Sequence, residues 1–316
     1  MVRKLDSASA RVFVAIVEEG SIGRAAVREN IVPSAVSKRL NDLEQLLGVK
    51  LVERGQHGVT PTPAGEALAH HSRMVLQAIE RAHDELSEYL HGVRGHLRVR
   101  VSASSLGAGL PRHIRSFVRE HPGVKIDLEE LETPLIFREV LEGRVDVGIG
   151  PDIFRPSELE CLRYAGYKLC VVVPRGHPLA SRRSVSYAET LAYDQVEQNR
   201  GSVLTQLLDQ AASRSGSVKR TRIRVRGFEA VCSMIAAGMG IGIVPFSLKA
   251  TYGRQQQLRF VPLSDEWTNL TIVLVAREFE RLPAAAQAFV EHLRSAPEAN
   301  GDPAAAPTPP SDPGSE

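Results

Sequence analysis

From Thr62 to about Leu90 the sequence runs in one helical pattern with no breaker beyond Gly65, and this stretch limits the possible folds more than any other. Leu68, Val75, Ile79, Ala82, Leu86 and Leu90 recur at steps of seven, four, three, four and four, close to a coiled-coil seam, with Glu80, Arg81, Asp84 and Glu85 as charged flanks. A lone helix cannot leave such a stripe in water. The pattern therefore predicts a linker helix over 62–91 that packs against a second copy of itself and makes a dimer. At 316 residues the chain has room for more than one module. The texture differs on the two sides of the linker, which predicts one module over 1–61 and another over 92–295.

In the first module, Leu5, Val12, Phe13, Ala15 and Ile16 lie at helical spacing, and Gly20 stands where a helix cap belongs. Ser21 is placed to cap a short second helix, whose Ala25-Ala26 pair lets a neighbour come close. The stretch "VPSAVSKRLNDLE" then starts a third helix with Pro33 in its first turn, where a missing N–H costs nothing. Val36, Leu40, Leu43 and Leu47 form its apolar stripe, and Ser34, Ser37, Lys38, Asn41 and Gln45 fall on the other side. Two β-prone pieces, 50–53 and 58–60, suggest a small wing before Thr62-Pro63 opens the linker. That order is a winged helix-turn-helix, whose second motif helix enters the DNA major groove. Small hydroxyls allow close approach there, and Lys38 or Arg39 can reach phosphates or guanine edges.

After "HGVRGH" strands and helices alternate, which predicts an α/β module with mostly parallel sheets and a ligand crevice at the carboxyl ends of its strands. Ser102, Ser104 and Ser105 sit between a strand and a helical segment, so their hydroxyls and the helix-end amides could hold a carboxylate. The tail over 296–316 is Pro, Ala, Gly and Ser with a few acids; it lacks the apolar residues to join a core and is expected to be disordered.

Other features exclude function classes. Cys161, Cys170 and Cys232 are odd in number and widely spaced, which supports neither a disulfide framework nor a zinc site. Gly238, Gly240 and Gly242 follow a helix and precede a strand, the reverse of a dinucleotide fingerprint. His70-His71 have no companions at metal spacing, so they read as solvated or dimer-facing. No metal, cofactor or catalytic residue is expected. The apolar runs are too short to span a membrane and the start lacks a cleavage site, so the expected location is the cytoplasm.

The segment from Phe13 to Gly65 resembles the N-terminal domain of LysR-type transcriptional regulators. The matching features are the Phe in the first helix, Gly-Ser, Ala-Ala, Ser-Ala-Val-Ser, Leu-Glu before Leu-Gly, Leu-Val-Glu-Arg, and Thr-Pro-x-Gly after the wing. The resemblance extends over roughly residues 3 to 295. It implies an α/β fold with an N-terminal winged helix-turn-helix, a long linker helix and a two-lobed, periplasmic-binding-protein-like effector domain. Lobe I would cover about 96–170 and 268–295, and lobe II about 171–267. The implied partners are promoter double-stranded DNA, a small-molecule effector such as a carboxylate, further copies of the chain as dimer and tetramer, and RNA polymerase. The DNA-facing residues in this reading are Ser21, Arg24, Pro33, Ser34, Ser37, Lys38, Arg39 and the wing residue Arg54. Those implied for the effector cleft are Ser102, Ser104, Ser105, Thr133 beside Glu132, Gly150, Asn199, Ser202 and Phe228. The chain departs from the family where Val32 and Pro33 replace the common Ser or Thr and Gln, and where Val52 replaces a Phe. Two rivals stand beside this reading. In one the lobes are an assembly platform without ligand; in the other the α/β part is a nucleotide-binding enzyme, which would need a phosphate-cradling loop that the sequence lacks.

Overall fold

The computed structural model describes residues 5–55, 58–91, 93–253 and 257–296. The expected disordered tail lies outside the described residues from 297 onward.

Asp6 starts α1 (Ser7–Glu19), its carboxylate accepting the Ser9 N–H at 2.6 Å. Leu5, expected on the apolar face, precedes this cap and is exposed, because the helix begins only where a side chain can satisfy its free amides. Gly20 ends α1 in the left-handed conformation, and Ser21 caps α2 (Ile22–Arg28). Val36, Leu40 and Leu43 of α3 (Pro33–Leu47) share one core with Phe13, Ile16, Ala25 and Ala26. Leu47 was expected in the same stripe but is 43% exposed. It lies one turn beyond Leu43, the last α3 residue in that core, and it is Glu44 that the end of the helix buries. The Glu44 carboxylate accepts the amides of Leu51 at 2.9 Å and Val52 at 3.5 Å, and Lys50 Nζ donates to it at 2.6 Å.

That clamp fixes the start of β1 (Val52–Gly55), which pairs antiparallel with β2 (Gly58–Pro61) as the wing. The first strand therefore begins later than the expected position 50, since Lys50 and Leu51 are occupied by Glu44. The wing folds back onto the turn between α1 and α2, where Val59 donates its N–H to Gly20 O at 2.9 Å. A Cβ at Gly58 would lie 2.4 Å from the same oxygen, so only glycine fits this contact. Thr62 accepts the Gly65 N–H at 3.1 Å and opens α4 (Pro63–His91), the 29-residue linker. Arg73 on α4 is 5% exposed and donates through Nε to Glu18 at 3.0 Å, which ties the linker to α1. Along the predicted seam Leu68 is half-buried, whereas Val75 and Ile79 are 51% and 42% exposed. The side chains of Leu86 and Leu90 lie outside the described residues.

The remainder begins with β3 (Gly95–Val101), α5 (Ala103–Gly107), α6 (Leu110–Glu120), β4 (Val124–Glu130), α7 (Thr133–Leu141) and β5 (Val147–Pro151). The chain then enters β6 (Glu160–Pro174) and continues through α8 (Tyr187–Thr190), β7 (Asp194–Gln198), α9 (Val203–Arg214), β8 (Arg220–Val225), α10 (Phe228–Ala236), β9 (Gly242–Pro245), α11 (Lys249–Tyr252) and β10 (Leu258–Pro262). It closes with β11 (Asn269–Ala276) and α12 (Ala284–Ser295). Phe117, Phe289 and Leu97 mark one large core, on β3 to β5, β11 and the first half of β6. Leu169, Val171, Val173, Leu208 and Ile243 mark another, on the second half of β6.

The sheets are mixed rather than mostly parallel. β3 runs parallel to β4 and β5, and β7 parallel to β8, but β11 pairs antiparallel with β5 and β6, and β6 antiparallel with β9 and β10. The mixture comes from insertion: β11, last in the chain, lies between β5 and β6 and runs against both, so strands near in sequence are separated in the sheet. Among the described residues no helix is long and apolar enough to cross a membrane.

Burial opposes ionisation of Glu44, but Lys50 and the amides of Leu51 and Val52 outweigh it and hold the carboxyl below the ordinary glutamate value of 4.5. A depressed folded pKa contributes stability that is fully present above 4.5 and is lost as the pH falls through the lower folded value. Glu44→Gln should lower the stability of the N-terminal module at pH 7 by about 1–3 kcal/mol, with the gap to the parent closing below that range. Denaturant unfolding from pH 7 to pH 3 measures this; a gap that stays constant throughout would rule the carboxylate out as its source.

Candidate nucleic-acid interface and effector cleft

The turn before α3 sets the orientation of that helix. The N–H of Ile31 donates to Ala26 O at 3.0 Å and that of Asn30 to Val27 O at 3.2 Å, while Asn30 adopts a left-handed φ of 54°. This double closure satisfies the carbonyls at the end of α2 and turns the chain directly into Pro33. Ser34, Lys38, Asn41 and Gln45 are exposed on the face of α3 opposite Val36 and Leu40, and Ser37 is half-buried beside them. Arg54 is exposed on the wing, opposite Val59 in the strand register.

The other sequence candidates have partners of their own. Ser21 Oγ accepts the Arg24 N–H at 3.4 Å, so its visible task is capping. Arg24 is 68% exposed, but its guanidinium bonds the backbone oxygen of Glu19 and pairs with that residue's carboxylate at 3.6 Å. Arg39 is half-buried on the flank of α3, away from Ser34 and Ser37. Hydrogen bonds from Ser9, with burial opposing and the charge of Arg39 assisting, hold the Asp6 carboxyl below its ordinary value.

Val32, which the sequence reading did not include among the contacts, is 62% exposed at the N-cap of α3, and no side chain caps that end. The signal was present as an apolar residue where a capping hydroxyl is the usual choice.

At the far end of β3, Ser102 caps α5 and bonds the hydroxyls of Ser104 at 3.0 Å and Ser105 at 2.8 Å. Ser105 is fully buried and donates to Ile149 O at 3.0 Å, so it fastens α5 to β5 and presents nothing to solvent. Ser104 is the more accessible hydroxyl, and it bonds the Tyr167 phenol, whose pKa burial pushes well up. Thr133 opens α7 and packs on Gly150, where a Cβ would sit 3.4 Å from its methyl group. Glu132 precedes Thr133, and its carboxylate accepts a hydrogen bond from the Asn199 amide across the cleft. Asn199 belongs to a turn in which Ser202 donates its N–H to Asn199 O at 3.0 Å and its hydroxyl to Gln198 Oε1 at 2.7 Å. Glu132 and Asn199 thus meet across the ends of β4 and β7, while Ser104 and Thr133 follow the ends of β3 and β4. Phe228 instead packs into the two cores on the second half of β6.

Residues 8–66 match the bacterial regulatory helix-turn-helix proteins of the lysR family, and residues 90–298 match the LysR substrate binding domain. The chain belongs to the LysR family of transcriptional regulators.

A RuBisCO operon transcriptional regulator of Allochromatium vinosum is 31% identical over 291 residues, covering 90% of this chain and 94% of its own. The uncharacterized HTH-type transcriptional regulator YnfL of Escherichia coli is 28% identical over 290 residues, covering 90% and 97%. Among solved structures, a full-length OxyR variant from Pseudomonas aeruginosa superposes with a TM-score of 0.74 at 20% identity, covering 93% of this chain and 96% of that one. Full-length CbnR in complex with its target DNA gives 0.63 at 24% identity, covering 92% and 99%. These two share the fold. As a LysR-family member the chain is a DNA-binding transcriptional regulator with an effector-binding domain, and its relatives are regulators, not enzymes.

The left-handed turn residue gives a direct test of how α3 is aimed. Asn30→Val should cost about 1–2 kcal/mol and weaken DNA binding, because a β-branched side chain resists positive φ. Asn30→Gly should preserve both properties, and equal losses in the two variants, read by thermal unfolding and gel shift, would remove the turn from the account.

Proposed function

We propose that this LysR-family regulator reads promoter DNA through the exposed face of α3, as a dimer joined by its linker helices, and that a small molecule between the lobes biases how the paired N-terminal modules meet DNA. The observation that carries the DNA surface is the single polar face of Ser34, Ser37, Lys38, Asn41 and Gln45, turned away from the core. Ser34 and Ser37 allow close approach in the groove, and Lys38, together with Arg54 on the wing, supplies charge for phosphates or guanine edges. Arg24 can join once it leaves Glu19, and Val32 offers an apolar edge beside Pro33. Such a protein works in the cytoplasm, where DNA and RNA polymerase are at hand.

The dimer reading is supported by the exposure of Val75 and Ile79 on one stripe of α4. Pairing of the effector domains would extend the dimer to a tetramer. A route from the lobes to the DNA is supported by packing of the linker against the first lobe. Met74 of α4 lines a cavity of about 70 Å³ together with Val140, Val145, Arg277 and Leu282. Burial first, then the charges of Arg277, His71 and Arg73, lowers the pKa of His70 in the same region. A ligand that favours one arrangement of the lobes shifts the population of assemblies by its difference in affinity for the two states. The accessible hydroxyl of Ser104, the Asn199 amide and Thr133 favour a ligand rich in acceptors, such as a carboxylate.

Duplexes selected from a random pool by the full-length protein provide the probe. Ser37→Ala with Lys38→Ala should weaken binding about tenfold or more and flatten the salt slope by about one, with the dimer and the unfolding midpoint intact. Val75→Asp with Ile79→Asp should sediment as a monomer and lose the cooperative binding of paired half-sites. Unchanged footprints in the first variant would refute the recognition surface, and an unchanged mass in the second would refute the seam. A thermal-shift screen of the full chain against small acids and amines tests the effector, since a specific ligand raises stability by mass action. No response to any class would favour the assembly-platform reading.

A further inference from the structure

Resting on the effector reading, we propose that Glu132 is a built-in competitor for the effector: its carboxylate occupies a carboxylate seat on the opposite lobe, and a small carboxylic acid activates the cleft by displacing it. Glu132 holds the N-cap position of α7 with φ −69° and ψ 140°, yet its side chain makes no capping bond. The carboxylate crosses instead to the turn at 199–202, where Asn199 Nδ2 donates to Oε1. Gly201 lies directly beneath. A Cβ built on Gly201 would be 2.1 Å from Oε2 and 3.2 Å from Oε1, so the missing side chain leaves room for this group.

The turn that forms the seat also has bonds of its own, to which the Glu132 carboxylate adds. Asn199 donates its N–H to Val225 O at 3.0 Å, Ser202 donates to Asn199 O at 3.0 Å, and the Ser202 hydroxyl donates to Gln198 at 2.7 Å. Removal of Glu132 therefore leaves an amide donor beside a bare backbone, the shape and polarity that another planar carboxylate requires.

A tethered competitor acts at an effective concentration on the order of millimolar. A simple acid present at lower concentration loses to it. An acid with further contacts, to Ser104 or Thr133 on the first lobe, can win, so the latch filters effectors by size. The apparent affinity for a displacing acid is reduced by the fraction of molecules whose seat is free, and loss of Glu132 should raise that affinity about fivefold or more.

Acetate is the probe, compared with chloride at equal ionic strength, on the full-length protein. Hydrogen exchange of the 198–203 amides and the unfolding midpoint are the readouts. In the parent, acetate at or below roughly a millimolar, the effective concentration of the tethered carboxylate, should change neither. In Glu132→Ala the 198–203 amides should exchange several-fold faster, and acetate should restore their protection saturably and raise the midpoint. Glu132→Ala combined with Asn199→Ala should not respond. Gly201→Ala, which fills the seat from below, should speed exchange as Glu132→Ala does and also abolish the acetate response. Unchanged exchange in Glu132→Ala, or an equal acetate response in parent and variant, overturns the inference. A metabolite that stabilises the parent while Glu132→Ala ignores acetate would leave the effector reading standing and this one refuted. Acetate rescue with no metabolite response would leave a carboxylate seat but overturn its competition with an effector.

Discussion

One strand holds the effector region together. The fifteen residues of β6 pass from one core into the other without a break, pairing with β11 along the first part and with β9 and β10 along the second. Leu169, Cys170, Val171, Val172 and Val173 are all fully buried, so the second part of the strand has apolar packing on both faces. Glu132 follows β4 and Asn199 follows β7, so their hydrogen bond links the strand ends of the two lobes.

The N-terminal module follows a different physical plan, in which ion pairs rather than a shared strand set the geometry. Glu44 ties α3 to the wing, Gly20 O receives the wing at Val59, and Glu18 binds both Arg28 of α2 at 2.8 Å and Arg73 of α4 at 3.0 Å. Arg73 is almost wholly buried, and a buried charge that keeps its partner resists separation, since parting them would strand it.

Helical periodicity made much of this module legible in the sequence. Val36, Leu40 and Leu43, the cap at Ser21 and the proline at the start of α3 all obey local rules, and local rules dominate where elements are short and adjacent. Leu47 was misjudged because periodicity reports which side a residue faces, while burial depends on whether a neighbour reaches that far. In the lobes, β7 escaped notice because "DQVEQ" is polar, although Gln195 and Glu197 are 1% and 4% exposed. Glu197 is buried with Lys219 at 2.6 Å, a pairing between distant positions that no window of sequence displays. The direction of β11 was hidden for the same reason, as strand pairing is non-local. Of the cleft, Ser102, Thr133 and Asn199 were legible as positions, but the engagement of Glu132 with Asn199 depends on the closure of two lobes.

The buried pair of Arg73 and Glu18 has a mechanical consequence. Because it fastens the linker to α1, the N-terminal module cannot swivel on the end of α4, and the two turn as one lever. At roughly 1.5 Å per residue, the 29 residues of α4 span about 43 Å. A tilt of about 5° at the lobe end therefore carries the far end of the lever sideways by roughly the 3.4 Å rise of one base pair. A rotation that slight is enough to move the exposed face of α3 by about one base-pair step.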